Sequence, residues 1–109
     1  MNLQPPKPVQ KWEHELPAKK KGSICIQHRT KPGADGDTVS GCEDCLYMNI
    51  YVSVRNNSKT LLPVMFWIHG GAYQFGTGND LNESHLMDKS IVLVTFNFRV
   101  GPFGKNSKL

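Results

Sequence analysis

The fold is decided by the stretch Leu61-Leu62-Pro63-Val64-Met65-Phe66-Trp67-Ile68-His69-Gly70-Gly71-Ala72. Its first eight residues are almost continuously apolar, which is typical of a short strand that is buried on both faces. Glycines follow at once, and residues 70–78 include four of them. In open α/β sheets, the loop at this end of a strand is where functional sites usually form.

Two further strands are predicted around this stretch. Before it, apolar residues recur at every second position, the period of a half-buried strand: Leu46, Met48, Ile50, Val52 and Val54. After it, residues 91–98 form an apolar run of strong β-propensity. Residues 80–89 predict only a weak helix, whose apolar side would be Leu81, Leu86 and Met87. Strands joined in this way indicate an α/β fold with a mixed sheet.

The composition excludes several classes of protein. The 109 residues are 39% hydrophobic and 20% charged, which is typical of a globular chain. The net charge of +4 owes much to Lys19-Lys20-Lys21, interpreted as a solvated loop, so we expect no nucleic-acid partner. No run reaches the ~20 apolar residues of a membrane span. The polar, proline-rich start shows no signal peptide.

Three cysteines are present, at Cys25, Cys42 and Cys45. The CxxC spacing of the last two suits zinc or redox chemistry. A structural zinc site normally needs four ligands, and a thioredoxin-like site lies in a βαβ pattern that is not found here. We therefore expect no metal and no cofactor. In a secreted protein, a disulfide from Cys25 to either Cys42 or Cys45 would leave one free thiol.

The motif His69-Gly70-Gly71-Ala72 indicates a chemistry. Acyl transfer needs fixed donors that point at the oxygen that becomes negative in the tetrahedral intermediate. Glycines allow positive φ, so successive amides can turn towards one point, and loops of this type form the oxyanion hole of lipases and esterases. By itself, the motif is explained equally well as a plain glycine-rich turn. His69 is interpreted as a residue that orients the loop.

Three ordered motifs resemble the type-B carboxylesterase and cholinesterase family. They occupy residues 43–52, 66–72 and 94–104, and the resemblance extends over roughly residues 5–104. Ala72 is similar to the residue of insect-type members, juvenile-hormone-esterase-like enzymes among them. The resemblance implies an N-terminal fragment of an α/β-hydrolase fold with a mixed, mostly parallel sheet. Residues 1–109 would be a partial domain, of which residues 105–109 form a divergent tail.

The resemblance also implies roles for individual residues. The amides of Gly71 and Ala72 would form part of the oxyanion hole, with His69 and Gly70 supporting the loop. Cys45 matches the family's early disulfide cysteine and Cys25 its partner, which leaves Cys42 as the free thiol.

The function implied by the resemblance is that of a serine-dependent hydrolase of small-molecule carboxylic esters. No Gly-x-Ser-x-Gly pattern occurs in these 109 residues, so we expect this chain alone to lack the catalytic triad and to be inactive. The alternatives are a fragment of a non-catalytic cholinesterase-like adhesion domain and a small secreted disulfide module. The sequons at Asn56 and Asn82 are consistent with glycosylation and with a parent protein that is secreted or lies in the secretory-pathway lumen.

Overall fold

A computed structural model of the chain describes residues 5–29, 38–53 and 61–104. Within these ranges, strands and short helical turns are separated by long irregular segments. The strands, in chain order, are β1 (Gln27–Arg29), β2 (Thr38–Ser40), β3 (Met48–Val52), β4 (Val64–Trp67) and β5 (Val92–Phe96). Two 3-10 helices occupy Glu83–His85 and Gly101–Phe103.

The main sheet has three strands in the order β3-β5-β4. β5 pairs antiparallel with β3 and parallel with β4, so the predicted mixed sheet is confirmed. The parallel pair needs a crossover connection, and the chain between β4 and β5 includes the glycine-rich loop and the first 3-10 helix. This topology places the loop at the carboxyl end of β4.

One face of this sheet is apolar and exposed. Because paired residues share a face, the register places the apolar residues of all three strands on the same side. We call this set the apolar face: Met48, Ile50, Val52, Val64, Phe66, Val92, Val94 and Phe96. The members on the edge strands β3 and β4 are between 55% and 65% exposed, whereas Val94 on the central strand is buried.

Two burial predictions are therefore wrong. The apolar positions of β3 were expected inside, and they are exposed. The run containing β4 was expected to be buried on both faces, yet Val64, Met65 and Phe66 are all exposed. Both strands lie at the edges of a three-stranded sheet, where the side chains of the apolar face stay largely exposed. Only the central strand is covered, with Leu93 and Thr95 fully buried.

The weak helix predicted over residues 80–89 is reduced to the 3-10 turn Glu83–His85. The Asn82 side chain caps this turn by accepting a hydrogen bond from the Ser84 backbone N–H. Leu81, Leu86 and Met87 are only half-buried. Their spacing does not make a continuous stripe on an α-helix, and this explains why no longer helix forms.

The irregular N-terminal part includes one small sheet that the sequence did not predict. β1 and β2 pair antiparallel, and an isolated bridge joins Cys25 to Cys42 beside them. The predicted disulfide is confirmed, because Cys25 and Cys45 are bonded and both are buried. Cys42 is the free thiol. No helix in the described ranges is long and apolar enough to span a bilayer.

Two predictions fall outside the described residues. The sequon at Asn56 lies between β3 and β4 in residues 54–60, and the divergent tail occupies residues 105–109. Both stay predictions. The sequon at Asn82 lies within the described part of the chain.

Candidate functional site

The loop of residues 69–78, called loop 69–78 below, turns back on itself directly after β4. The backbone amides of Gln74 and Phe75 both donate to the Gly71 carbonyl, at 2.9 and 3.2 Å. Gly71, Ala72 and Tyr73 have φ values of 115°, 52° and 59°. Three consecutive residues with positive φ are unusual, since each non-glycine residue in that region costs roughly 1–3 kcal/mol and such strain tends to collect at functional sites.

The two neighbouring glycines, Gly70 and Gly71, differ in what surrounds them. A Cβ atom on Gly71 would lie 1.8 Å from the Phe75 carbonyl oxygen, so the turn admits only glycine there. A Cβ atom on Gly70 would meet nothing within 4 Å. Glycine is therefore required at Gly71 by the turn itself, whereas the turn does not require it at Gly70.

The backbone amides of Gly71 and Ala72 remain available as donors. Across the described residues, neither amide has an acceptor in the backbone network of the loop. Gly71 is half-buried and Ala72 is exposed. Two successive amides without a backbone acceptor on a strained turn suit an anionic or partly negative oxygen atom.

His69 lies beneath the loop and is buried, with 5% of its surface exposed. Its ring stacks on Phe98 at 4.0 Å between centroids and 1° between planes. Its Nδ1 lies 2.9 Å from the Gly70 carbonyl oxygen. A carbonyl can only accept, so we assign the proton to Nδ1. Nε2 has no partner among the described residues. The His69 ring thus contacts both Phe98 and the backbone of the loop.

The side chain of Gln27 bonds both the backbone N–H and the backbone carbonyl of Gly76. Its Oε1 accepts from the Gly76 amide at 2.8 Å, and its Nε2 donates to the Gly76 carbonyl at 3.0 Å. Nε2 also donates to the Cys25 carbonyl at 3.0 Å. Gln27 is buried, so these bonds form away from water.

Asn97, directly after β5, makes a second buried network. Its Oδ1 accepts from the Gly78 amide and from the Thr77 hydroxyl, each at 2.8 Å. Its Nδ2 donates to the carbonyls of Ser23 at 2.9 Å and Cys45 at 3.0 Å. Every donor and acceptor site of this amide that is commonly used has a partner.

Sequence reasoning missed both amides. Asn97 did give a signal, because it is a polar residue inside the predicted apolar strand of residues 91–98, and a buried polar side chain requires partners. Gln27 gave none beyond its position two residues after Cys25. A further amide, Asn49, donates to Asn79 at 3.1 Å and to the Thr95 hydroxyl at 3.0 Å.

Lys21, the last residue of the lysine triplet, contacts β3 and the first 3-10 helix. Lys21 pairs with Glu83 at 3.5 Å and lies 5.8 Å from the centre of the Tyr51 ring. A hydrogen bond with Tyr51 raises the pKa of Lys21 above its usual range, with Glu83 contributing in the same direction. Among the residues that the structure describes, no group of His, Cys, Asp and Glu is arranged to hold a metal ion.

Comparison with known proteins identifies the family. The model of the carboxylesterase family matches residues 1–107. The chain belongs to the carboxylesterase family. A carboxylic ester hydrolase from Bombus ignitus is 58% identical to this chain over 105 residues. The match covers 95% of this chain and 19% of that protein.

Two solved structures share the fold of this carboxylesterase segment. A PNB esterase superimposes with a TM-score of 0.71 at 36% identity, over 94% of this chain and 20% of that one. Juvenile hormone esterase from Manduca sexta, with OTFP covalently attached, superimposes with a TM-score of 0.74 at 29% identity. The match covers 93% of this chain and 19% of that one. Both are α/β-hydrolases, so the predicted fold class is confirmed. The chain spans about a fifth of the length of these relatives.

Proposed function

We propose that this segment belongs to a serine-dependent carboxylic ester hydrolase and supplies its oxyanion-hole loop. The observation that supports this most is a pair of amides, at Gly71 and Ala72, on consecutive residues of positive φ after β4. Neither has a backbone acceptor among the described residues. In this proposal residues 1–109 are part of one carboxylesterase domain, with residues 105–109 as its divergent end.

The chemistry follows from what such amides do. When a nucleophile attacks an ester carbonyl, the carbonyl oxygen gains negative charge, and fixed N–H donors stabilise it without reorganisation. The amides of Gly71 and Ala72 fill this role. The attacking serine, its histidine and its acid lie elsewhere in the full-length protein, since no Gly-x-Ser-x-Gly occurs here. The molecule attached covalently to the Manduca sexta esterase supports nucleophilic chemistry in that relative.

The substrate is a small-molecule carboxylic ester with an apolar part. Tyr73 and Phe75 follow the two amides within loop 69–78, and they are 82% and 45% exposed. Exposed aromatic rings beside a hydrogen-bonding centre are typical of pockets that bind apolar ligands. We infer that these rings contact the acyl or alcohol group while the amides hold the carbonyl oxygen.

The test uses a chimera in which this chain replaces the aligned 105 residues of the Bombus ignitus hydrolase. We expect the chimera to hydrolyse p-nitrophenyl esters and the isolated 109-residue chain to show no turnover. Gly71→Ala should lower kcat by roughly 100- to 1000-fold, the usual loss when an oxyanion donor is displaced. The rates are normalised to the folded fraction measured by thermal unfolding.

Asn82→Gln is the control variant, because Asn82 is exposed and lies outside the loop. It should leave kcat unchanged. A folded chimera that hydrolyses esters equally well with Gly71→Ala would contradict the proposal. A folded chimera without any turnover would instead favour the non-catalytic adhesion domain.

We further propose that the parent protein is secreted and glycosylated. The Cys25–Cys45 disulfide supports an oxidising compartment. Asn82 is exposed and its Oδ1 lies 2.7 Å from the Ser84 hydroxyl that donates to it. Expression in insect cells should give a mass increase that a glycosidase removes, and Asn82→Gln should abolish the part of the increase due to this site. Unmodified Asn82 in secreted protein would contradict the second half of this proposal.

A further inference from the structure

Two buried amides connect loop 69–78 with the disulfide. Gln27 bonds the Cys25 carbonyl on one side and Gly76 on the other. Asn97 bonds the Cys45 carbonyl and Gly78. Each half of the disulfide is therefore joined, through one side-chain amide, to one of the two glycines at the end of the loop.

The bond between the sulfurs fixes the distance between these two anchors. The Cα atoms of Cys25 and Cys45 are 4.8 Å apart, and both residues are almost completely buried. Since the disulfide holds the two carbonyls in one arrangement, it also fixes where Gln27 and Asn97 can place their outer ends. Both amides are buried, at 3% and 8% exposure, so a lost partner would leave a polar group without water to replace it.

A contact within the loop passes this placement on to Gly71. A Cβ atom on Gly76 would lie 2.3 Å from His69 Nδ1 and 2.4 Å from the Gly70 carbonyl oxygen. Gly76 is thus packed directly against the residues that precede Gly71. If Gly76 shifts by a few tenths of an ångström, His69 or Gly70 must shift as well.

We propose that Gln27 and Asn97 are positioning residues, which couple the Cys25–Cys45 disulfide to the direction of the Gly71 and Ala72 amides. The inference rests on the proposed function, because it assigns these amides to the oxyanion hole. Neither side chain touches the substrate. They act through Gly76 and Gly78, and the disulfide acts through them.

The variants Gln27→Glu and Asn97→Asp remove the N–H donors of each amide and keep an acceptor oxygen. The carboxylate keeps an oxygen that accepts from the Gly76 or Gly78 amide. Gln27→Glu loses the N–H donors to the carbonyls of Cys25 and Gly76, and Asn97→Asp loses those to the carbonyls of Cys45 and Ser23. Asn49→Asp is the matched control. It makes the same change in an amide that bonds Asn79 and Thr95 and has no bond to the disulfide.

In the chimera, we expect Gln27→Glu and Asn97→Asp to lower kcat by about 10- to 100-fold at equal folded fraction, since small misplacements of a catalytic group have this effect. KM should change less than about threefold, because the lost interaction acts in the transition state. Asn49→Asp should lower the melting temperature without this loss in kcat. Equal kcat losses in all three variants would overturn the inference.

Replacing Cys25 and Cys45 by alanine tests the coupling itself. The pair of replacements should lower kcat, and adding Asn97→Asp should then lower it by less than the same change does when the disulfide is present. Dithiothreitol should reproduce the effect in the unmutated chimera. Fully additive effects on kcat would show that the amides and the disulfide act separately, against the proposal.

Amide hydrogen exchange gives a readout that does not depend on esterase activity. The Gln74 and Phe75 amides report on the turn because both donate to Gly71. They should exchange faster in Gln27→Glu and Asn97→Asp than in Asn49→Asp at equal global stability. An inactive chimera that shows this difference would refute the proposed function and leave the positioning intact. Unchanged exchange would refute the positioning.

Discussion

The two faces of the three-stranded sheet differ in how far the rest of the segment covers them. The face that includes Asn49 and Thr95 is covered by loop 69–78 and by the segment around the disulfide, with hydrogen bonds that span up to 74 residues of sequence. The apolar face is open to solvent, and its edge-strand members are more than half exposed. This segment therefore provides the contacts on the face next to loop 69–78. It leaves uncovered the apolar face, whose burial should contribute most to stability.

This difference separates the geometry of the site from the stability of the fold. Full burial of a large apolar side chain stabilises a protein by roughly 1.5–3 kcal/mol. Ile50, Phe66 and their neighbours leave that stabilisation unrealised in this segment. The hydrogen bonds of the polar side specify one arrangement, but their net contribution is only about 1 kcal/mol each. The polar side therefore specifies the arrangement of this segment, while the exposed apolar face adds little to its stability.

The largest effect is expected from a charge on the apolar face. In the chimera, we expect the remaining chain of the relative to cover this face, so Phe66→Lys should cost more than about 3 kcal/mol because it would bury an unpaired ammonium group. In the isolated chain the same change should increase the monomer fraction, since it breaks an exposed apolar patch. Thermal unfolding and analytical ultracentrifugation measure the two quantities.

Val39→Lys is the matched control for this prediction. Val39 is 72% exposed but lies on β2, outside the main sheet. It should change neither quantity appreciably. If the two lysine variants behave alike in both proteins, the apolar face is not a surface that the rest of the protein covers.

Loss of the disulfide should have the next largest effect. The bond joins residues 20 apart in sequence, and removing it should lower the free energy of unfolding of the chimera by about 3 kcal/mol. Cys25→Ala combined with Cys45→Ala is compared with Cys42→Ser by urea denaturation. The Cys42 variant should differ little from the parent, because its thiol is free and only half-buried. A comparable loss in Cys42→Ser would mean that a different pair of cysteines is bonded.

The same contrast explains what the sequence predicts well. All three strands of the main sheet fall inside predicted runs, because their spacing and β-propensity are local properties. The disulfide pairing came from family resemblance. The burial of Ile50 or Phe66 depends on whether another segment covers them, and no local pattern reports this. The role of Gln27 depends on Gly76, 49 residues away, and that of Asn97 on glycines and carbonyls 19 to 74 residues away. Both therefore become visible only in three dimensions.

A smaller effect is expected from a methyl group added at Gly78, where loop 69–78 packs against β5. The Cβ atom of Gly78→Ala would lie 2.8 Å from three backbone atoms of Phe96, so β5 or the loop must move. We expect a loss of about 1–3 kcal/mol, which is typical of overpacking. The Cβ atom of Gly70→Ala would meet nothing within 4 Å, and this control should unfold close to the parent temperature. Equal losses in the two variants would indicate that the close packing at Gly78 is not present in solution.

The smallest expected effect is a shift in the titration of Tyr47. Its hydroxyl donates to the Asp44 carboxylate at 2.8 Å, and this hydrogen bond raises the pKa of Tyr47 above the ordinary tyrosine value. Asp44→Asn should therefore lower that pKa. Since the folded-state pKa is raised, the stabilisation is present below the unfolded pKa and is lost as the pH rises through the folded pKa.

The tyrosinate absorbance is measured as a difference from the Tyr47→Phe variant. Because Asp44 and Tyr47 both belong to the described segment, the shift should be the same in the isolated chain and in the chimera. A shift found only in the chimera would show that even these local hydrogen bonds need the covered apolar face.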